Sequence, residues 1–217
     1  MGLFLDSARI EEVKKAVELG FLAGVTTNPT IMAKVVGRPR EIIKQICAIS
    51  PGHVFYQLTA RTPAEREREG CEFADIAPGK VVLKIPATTE NMVLMARLSK
   101  DVPCAATAVY SGAQALVARE AGAHYVIPYV NRATRLLGDG CKLVAEMAAV
   151  LKASGKHVEI LAASIKSADE ATQAVLAGAN HLTLPLDILT SLGNHPLSDA
   201  AIEEFARAAQ TKSEARG

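Results

Sequence analysis

The stretch HVFYQLTARTPAEREREGCEFADIAPGKVVLKIPA, residues 53–87, contains the unit from which the rest of the chain is built. A short apolar run at 53–60 is followed by a helical pattern over 63–76 and by a second apolar run at 81–87. Two short apolar runs separated by a helical segment are typical of a βαβ unit, in which the strands are parallel. Because the same alternation recurs along the chain, this unit decides the fold.

The alternation occurs eight times. The apolar runs lie at 3–7, 23–29, 53–60, 81–87, 103–110, 124–132, 157–164 and 181–187. The helical patterns lie at 9–19, 39–49, 63–76, 90–100, 112–121, 137–153, 167–177 and 198–209. Eight such units predict an α/β fold, a single-domain (β/α)₈ TIM barrel over residues 1–217 with a C-terminal helix.

An open, doubly wound sheet is the alternative architecture. That fold normally carries a Gly-rich phosphate-binding turn after its first strand. Here the first apolar run continues into LDSARIEE, residues 5–12, without such a turn. Glycines follow four of the helical patterns, where helix-terminating residues belong. They are Gly20, Gly122, Gly155 and Gly178.

The composition excludes several classes of protein. Hydrophobic residues make up 49% and charged residues 22% of the chain, which predicts a large folded core. A net charge of +1, 4% aromatic residues and no Trp argue against nucleic-acid binding. The N-terminal segment becomes charged at Asp6, and no apolar run reaches the roughly 18 residues of a membrane span. We expect a cytoplasmic protein without a nucleic-acid or membrane partner.

Neither cysteines nor histidines show the spacing of a metal site. Cys47, Cys71, Cys104 and Cys141 are scattered, which suggests a reducing compartment and thiols that serve as small core residues. The five histidines form no HxH or HxxxH pattern, and four of them stand beside strand starts, the stability end of a barrel. No metal and no cofactor are expected. The EREREG stretch, 65–70, is interpreted as a solvated helix face.

Polar residues end seven of the eight apolar runs, where the chemistry of a barrel is found. They are Asp6; Thr26, Thr27 and Asn28; Gln57 and Thr59; Lys84; Thr107 and Tyr110; Tyr129, Asn131 and Arg132; Ser164 and Lys166. The eighth run offers mainly Leu184 and Pro185 before Asp187. Polar residues also mark turns, so Asp6 and Asn28 could equally be caps and Arg132 a solvated loop residue.

Lys84 stands out because it lies inside a run of apolar and β-branched residues. Side chains alternate along a strand, so Lys84 shares a face with Val82, while Val81, Leu83 and Ile85 share the other. A buried structural lysine needs a carboxylate partner and is rare. Burial lowers the pKa of an amine, and a neutral amine can form a Schiff base with a carbonyl substrate. The iminium then accepts electrons from a breaking carbon–carbon bond, which is class I aldolase chemistry.

Six stretches of the chain resemble the small transaldolase family, and within it the fructose-6-phosphate aldolase branch. They are FLDSA (4–8), GVTTNPTI (24–31), VVLKIPAT (81–88), TAVYSGAQALVAREAGAHYVIPYVNR (107–132), LAASIKS (161–167) and LTLPLD (182–187). The resemblance runs nearly from end to end and implies a single-domain barrel. It also implies that Lys84, in its V-L-K-I-P context, is the Schiff-base lysine on the fourth strand.

The same resemblance assigns roles to other residues. Gln57, Thr107 and Tyr129 would hold a catalytic water, with the Tyr129 hydroxyl as acid and base. The remaining positions would flank the imine and the substrate hydroxyls or hold a terminal phosphate. They are Asp6 and Asn28 at the imine, Thr26 lining the same pocket, and Arg132 and Ser164 at the phosphate.

Two positions favour the aldolase branch over typical transaldolases, which carry Glu and Phe where this chain has Gln57 and Tyr129. The implied reaction cleaves or forms the C3–C4 bond of a ketose phosphate such as fructose 6-phosphate, giving dihydroxyacetone and glyceraldehyde 3-phosphate. The alternatives are a transaldolase, a sulfonated sugar analogue as substrate, or a barrel that binds sugar phosphates without catalysis. Family members form homo-oligomers, pentamers or decamers, through the C-terminal helix. Here Ile202, Phe205 and Ala206 share one face of it and could dock on a neighbour or on their own barrel.

Overall fold

The computed structural model describes residues 1–153 and 157–214, which contain a closed barrel of eight parallel strands in sequential order. The last strand, β8, pairs with the first, β1. The strands are β1 Gly2–Asp6, β2 Leu22–Thr26, β3 Val54–Gln57, β4 Val81–Pro86, β5 Cys104–Val109, β6 Tyr125–Pro128, β7 Glu159–Ala162 and β8 His181–Leu184.

Helices follow the strands and surround the barrel. In the described residues they are α1 Ile10–Glu18, α2 Pro29–Met32, α3 Pro39–Ile49, α4 Pro63–Ala74, α5 Thr89–Leu98, α6 Gly112–Glu120, α7 Val130–Leu137, α8 Gly140–Lys152, α9 Ala168–Leu176, α10 Leu186–Ser191 and α11 Pro196–Glu214.

The predicted TIM barrel is confirmed, because each of the eight apolar runs contains a strand and the sheet closes. Closure rules out the open doubly wound sheet. Gly20, Gly122 and Gly178 follow their helices with positive φ angles, as helix-terminating glycines do. Gly155 lies outside the described residues.

Three short helices, α2, α7 and α10, were not predicted. The most consequential is α7, because the sequence had been interpreted as a strand as far as residue 132. The strand β6 ends at Pro128, and only Tyr129 still bridges to Ala163 of the neighbouring segment. Arg132 therefore lies on a helix rather than at a strand end. The apolar pair Tyr129–Val130 extends the strand pattern in the sequence, although Val130 already starts the helix.

Side-chain alternation divides the core into two parts. Val81, Leu83 and Ile85 face outward and pack against the helices, whereas Val82 faces into the barrel. The inward residues form a separate apolar cluster of Phe4, Phe55, Val82, Ala105, Tyr125, Ile127, Leu161 and Ala163. Lys84 shares the face of Val82, so the predicted inward direction of its side chain is confirmed.

The amino-terminal end of the barrel is closed by a group of rings that we call the basal cluster. Its members are Phe4, His53, Phe55, Tyr125, Glu159 and His181. Phe4 meets Phe55 and His181 edge to face, each with ring centroids 5.6 Å apart. His53 Nδ1 lies 3.1 Å from the Tyr125 hydroxyl, and His181 Nε2 lies 3.0 Å from Glu159 Oε2. Most polar groups of this end therefore have partners within the cluster, although His181 Nδ1 has no hydrogen-bond partner among the described residues.

Gly24 on β2 makes room for this packing. A Cβ atom at this position would lie 2.3 Å from the carbonyl oxygen of His53 and 2.8 Å from the ring of Phe4. Real Cβ atoms do not approach other atoms that closely, so no other residue fits between these two neighbours without a shift of the backbone.

The EREREG stretch on α4 is not simply a solvated face, and that interpretation is wrong for two of its residues. The Glu69 carboxylate accepts hydrogen bonds from the Tyr56 hydroxyl at 2.8 Å and from the backbone N–H groups of Thr59 and Ala60, each at 2.9 Å. Arg66 Nε donates to the Ala60 carbonyl at 2.9 Å. The loop after β3 has backbone groups without strand partners, and α4 supplies partners for them.

The cysteines are all free, but only Cys47 and Cys104 are buried core residues as predicted. Cys71 is exposed and Cys141 is partly exposed. On α11, Ile202 and Phe205 remain 64% and 71% exposed, so this apolar face does not pack on its own barrel. Within 1–153 and 157–214, the structure contains no helix long and apolar enough to cross a membrane.

Candidate active site

A cavity of about 630 Å³ opens at the carboxyl ends of the strands. Seven of the nine predicted site residues line it: Asp6, Asn28, Gln57, Lys84, Tyr129, Arg132 and Ser164. The other two, Thr26 and Thr107, are fully buried beneath the cavity wall. Each contacts a lining residue, since Thr26 hydrogen-bonds to Asp6 and Thr107 to Tyr129.

The Lys84 side chain reaches the cavity from the centre of β4 and is only 2% exposed. Its Nζ atom donates to the backbone carbonyl of Thr27 at 2.9 Å. Burial lowers the pKa of this amine, and the charge of Asp6 opposes the shift without cancelling it. The hydrogen bond uses one N–H, so a neutral amine keeps its lone pair for attack on a carbonyl carbon.

Asp6 ends β1 beside the lysine. Its Oδ1 atom accepts a hydrogen bond from the Thr26 hydroxyl at 2.7 Å. Burial raises the pKa of the carboxyl group, while Lys84, the Thr26 hydrogen bond and Lys166 act in the opposite direction. Burial thus shifts Asp6 and Lys84 toward their neutral forms, as expected for ionisable groups in a poorly hydrated site.

Asn28 combines both roles that the sequence left open for it. It is the N-cap of α2, and its Oδ1 atom accepts from the backbone N–H of Ile31 at 3.0 Å. It also lines the cavity. The cap bond occupies one acceptor of the side chain and fixes its orientation, so the amide nitrogen remains as a donor for a ligand.

Tyr129 and Thr107 form a hydroxyl pair on the opposite wall, with the two oxygen atoms 3.1 Å apart. The Tyr129 ring meets Tyr110 edge to face at 6.2 Å, and the Arg132 guanidinium lies 5.0 Å from its centroid. Burial raises the pKa of Tyr129, whereas Thr107 and Arg132 lower it. The phenol is therefore kept protonated and able to donate.

Gln57 lies next to Lys84 in the sheet, because the two residues are register partners on β3 and β4. Its Oε1 atom is buried and has no hydrogen-bond partner within the protein. A buried amide oxygen without a partner is costly unless a water or ligand group binds to it. This oxygen therefore marks a place in the cavity wall where a polar ligand atom or a water fits.

Arg132 and Ser164 come together because α7 starts against the loop that follows β7. The backbone N–H of Val130 donates to the Ala163 carbonyl at 2.9 Å, and that of Asn131 donates to the Ser164 carbonyl at 3.0 Å. Ser164 itself has a φ of 61°, in the left-handed region that only a few non-glycine residues adopt. Such a backbone conformation persists where the surrounding contacts hold it.

The sequence interpretation missed Thr183. It named Leu184 and Pro185 as the main contribution of the eighth run, but Leu184 belongs to the outer core. Thr183 is the residue of β8 that lines the cavity, and it is 1% exposed. Strict alternation from His181 would have placed it on the inner face.

Three cations and one acid also line the cavity without having been assigned a role there: Arg9, Lys34, Lys166 and Glu12. Together with Arg132 they give the rim an excess of positive charge, which suits an anionic substrate. In 1–153 and 157–214, no three His, Cys, Asp or Glu side chains converge as metal ligands would.

The model of the Transaldolase/Fructose-6-phosphate aldolase family matches residues 3–216. The chain belongs to this family. Transaldolase/fructose-6-phosphate aldolase membership makes it an enzyme of the aldolase and transaldolase type.

Similar members of the transaldolase/fructose-6-phosphate aldolase family are full-length matches. A probable transaldolase of Dehalococcoides mccartyi is 40% identical over 208 residues, 94% of this chain and 96% of that protein. A probable transaldolase of Prosthecochloris aestuarii is 37% identical over 214 residues, with the same coverage of each chain. A probable transaldolase 1 of Bacillus cereus is 39% identical over 206 residues, 94% of this chain and 95% of that protein.

A solved structure of a mandelate oxidase mutant with an FMN adduct has a similar fold. Its TM-score is 0.60 at 16% identity, and the match covers 85% of this chain and 63% of that one. At this level of identity the similarity concerns the barrel fold alone.

Proposed function

We propose that this enzyme is a class I aldolase that cleaves and forms the C3–C4 bond of a ketose phosphate such as fructose 6-phosphate. The products of cleavage are dihydroxyacetone and glyceraldehyde 3-phosphate. One observation carries the proposal: the Lys84 amine is buried inside the barrel, borders the cavity and is hydrogen-bonded to a carbonyl instead of a carboxylate. Such an amine is a nucleophile rather than a structural cation.

The first step is attack of neutral Lys84 on the C2 carbonyl carbon of the ketose. The carbinolamine loses water and becomes an iminium ion, whose positive charge withdraws electrons from the neighbouring C3–C4 bond. Asp6 and Asn28 lie beside the amine on the cavity wall and bind the hydroxyl groups next to the imine. The Asp6 carboxyl can also hold the proton that the departing water requires.

In the second step the phenolate form of Tyr129, a minority form because burial raises the pKa, accepts the proton of the C4 hydroxyl through a water molecule bound by Gln57 and Thr107. The C3–C4 electrons move to the iminium nitrogen, the aldehyde leaves, and an enamine remains on Lys84. Protonation at C3 and hydrolysis then release dihydroxyacetone. The unpartnered Gln57 oxygen and the Tyr129–Thr107 contact support this assignment, because together they offer an acceptor and two hydroxyl groups for one water.

Arg132 and Ser164 bind the terminal phosphate of the substrate. A guanidinium presents paired N–H donors that match a phosphate, and a hydroxyl adds one more hydrogen bond. The neighbouring Lys166 strengthens the positive charge at this end of the cavity. A sulfonate has a similar tetrahedral shape but one charge fewer, so it is the weaker-bound alternative.

A transaldolase is the second candidate, and the names of the relatives favour it. In that reaction the enamine is not hydrolysed but attacks an aldehyde acceptor. Gln57 and Tyr129 support the aldolase instead, because the water they bind is the reactant that releases the three-carbon unit. The two reactions share Lys84 and differ in the fate of the enamine.

The proposal also includes a homo-oligomer, a pentamer or decamer, that acts in the cytoplasm without nucleic-acid or membrane partners. The exposed Ile202 and Phe205 on α11 support self-association through this helix. Light scattering of the wild type and of Phe205→Glu measures this part of the proposal separately from the chemistry.

The deciding experiment is incubation with fructose 6-phosphate and borohydride, followed by peptide mass mapping, together with product analysis with and without an aldehyde acceptor. The aldolase predicts a reduced adduct on Lys84 and free dihydroxyacetone without acceptor. An adduct on Lys84 with dihydroxyacetone units found only in transfer products would instead identify a transaldolase. Binding of substrate without any adduct would leave a non-catalytic sugar-phosphate barrel and overturn the proposal.

A further inference from the structure

Three side chains from adjacent strands, two of which line the cavity, form a hydrogen-bonded chain. The Thr183 hydroxyl of β8 lies 2.6 Å from the Thr26 hydroxyl of β2. The Thr26 hydroxyl lies 2.7 Å from Asp6 Oδ1 of β1, the strand between them. Both threonines are buried, at 1% and 0% exposure, so bulk water does not compete for these contacts.

The number of protons fixes the direction of the chain. A hydroxyl group has one proton to donate, and a carboxylate can only accept. When Asp6 is ionised, Thr26 donates to Asp6, so its oxygen must accept at the contact with Thr183. Thr183 is then the donor, and two successive hydrogen bonds point toward the same carboxylate oxygen. Hydrogen bonds in series polarise one another, which strengthens the bond that reaches the charge.

We propose that Thr183 is a positioning residue that acts through Thr26 to orient the Asp6 carboxylate beside Lys84. This inference rests on the proposed function for the role of Asp6 in catalysis, but not for the arrangement of the three groups. Loss of the Thr183 hydroxyl leaves the Thr26 oxygen without its donor and lets the Thr26 hydroxyl turn. Asp6 then loses a polarised hydrogen bond that favours its ionised form.

Other charged groups near Asp6 remain the same in such a variant. Lys84 on β4 and Lys166 after β7 act on the Asp6 carboxyl, and Asp6 in turn acts on Tyr129 after β6. The adjacent strands β2 and β8 contribute the hydroxyls of Thr26 and Thr183. A change in the titration of Asp6 on substitution of Thr183 is therefore attributable to the hydroxyl chain.

The test compares Thr183→Val with Thr183→Ser. Valine keeps the shape of threonine without the hydroxyl, and serine keeps the hydroxyl with less packing. In protein labelled with ¹³C at the Asp carboxyls, with the Asp6 signal assigned by Asp6→Asn, the Asp6 midpoint should rise by about half a pH unit in the valine variant. It should return to the wild-type midpoint in the serine variant. The limb of the kcat/KM profile that reports the ionisation of Asp6 should move by the same amount.

A role limited to packing predicts a different pattern, in which thermal stability falls but the Asp6 midpoint stays at the wild-type value. That result would overturn the inference. If Thr183→Val does not fold, Thr183→Cys supplies the same test, because a thiol is a weaker donor and should give an intermediate shift. The NMR titration requires no turnover. Failure of the proposed function would appear as a missing Lys84 adduct, and failure of this inference as an unshifted Asp6.

Discussion

The two ends of the barrel interior both contain enclosed titratable side chains, but they differ in the partners that surround these side chains. In the basal cluster His53 lies beside Tyr125 and His181 beside Glu159, with rings packed around them, and among these groups His181 Nδ1 has no hydrogen-bond partner in the described residues. At the cavity end Lys84 has a single carbonyl partner, and the Gln57 oxygen has none within the protein. A polar group with its partners in place stabilises the fold, whereas one that lacks them can bind a substrate.

The directions of the pKa shifts determine how each end of the barrel contributes to the free energy of unfolding as pH changes. Burial lowers the pKa of Lys84, so the unfolded chain binds more protons at this group than the folded chain does. The contribution of Lys84 to stability is therefore complete above the unfolded pKa and is lost as pH falls through the folded pKa. Burial raises the pKa of Asp6 above the pKa that it has in the unfolded chain. At a pH above that unfolded pKa, Asp6 therefore lowers the free energy of unfolding. Near neutral pH both groups destabilise the fold at the cavity end.

Two groups of the basal cluster, His53 and Glu159, lose their contribution to stability in acid. Burial lowers the pKa of His53, with a further effect of His124, so its contribution is complete above about 6.5 and is lost as pH falls through the folded pKa. Burial acts to raise the pKa of Glu159, but its contacts with His181 and His157 lower it overall. That contribution is also present at neutral pH and lost in acid.

The largest expected effect comes from Lys84→Met, which removes the proposed nucleophile. Turnover should fall by at least roughly 10⁴-fold, because no covalent intermediate can form. The free energy of unfolding at pH 7 should rise by about 1 kcal/mol, because an apolar side chain replaces an amine whose charged form is disfavoured. Steady-state kinetics and urea denaturation measure the two effects. If the variant were inactive and also much less stable, Lys84 would stabilise the fold, which would contradict the difference in stability between the cavity end and the basal cluster.

Tyr129→Phe removes the hydroxyl that is proposed to transfer the proton and keeps the ring. Turnover should fall by roughly 10²–10⁴-fold, the usual contribution of a general acid–base group. Reduction with borohydride should still trap substrate on Lys84, because imine formation precedes this step. The matched control is Tyr110→Phe, which removes a phenol that packs edge to face on the same ring. If both variants turned over at the wild-type rate, Tyr129 would have no role in proton transfer.

Gln57→Glu changes the group that is proposed to bind the catalytic water. A carboxylate accepts hydrogen bonds but cannot donate them, so the water is held in a different orientation. The ratio of transfer product to free dihydroxyacetone should rise by roughly fivefold, about 1 kcal/mol of altered hydrogen bonding. Product analysis in the presence of an aldehyde acceptor measures this ratio. An unchanged ratio would separate Gln57 from the fate of the enamine.

Glu159→Gln should have the smallest effect. In contrast to Lys84→Met, it should lower the free energy of unfolding. Turnover should stay at the wild-type value, because Glu159 lies at the other end of the barrel from the cavity. The free energy of unfolding at pH 7 should fall by about 1 kcal/mol or less, since the pair with His181 is partly exposed. Denaturation midpoints should converge with those of the wild type as pH falls below about 4.5 and through the lowered pKa of the Glu159 carboxyl in the folded protein. A loss of activity without loss of stability would contradict this separation of roles.

The sequence predicted the fold and the inward position of Lys84 because both depend on simple periodicity. Eight repeats of one unit suffice for a barrel, and alternation along β4 places Lys84 inside it. Thr183 was missed because it stands among leucines that dominate the run. The sequence predicted Arg132 at a strand end because the apolar pair at 129–130 continues the strand pattern. The helix start at this point depends on contacts with the loop after β7, which are not visible in the sequence.

Long-range hydrogen bonds account for the other errors. The sequence of α4 shows alternating charges but not that Glu69 binds the loop after β3, since those donors lie ten and nine residues away. The missing partner of the Gln57 oxygen could not be read from sequence either, because it is a property of the space around the atom. Residue types reveal which chemistry is available, and packing decides which groups remain free to use it.

Gly24 shows how far from the reacting atoms a functional constraint can reach. A methyl group there would strike the His53 carbonyl and displace the Phe4 ring, which shares the inner face of β1 with Asp6. In a saturation library scored for activity, Gly24 should therefore tolerate almost as little variation as Lys84. Attempts to broaden the donor range of this enzyme by directed evolution would do better to vary the loops and short helices at the rim and to leave this position alone.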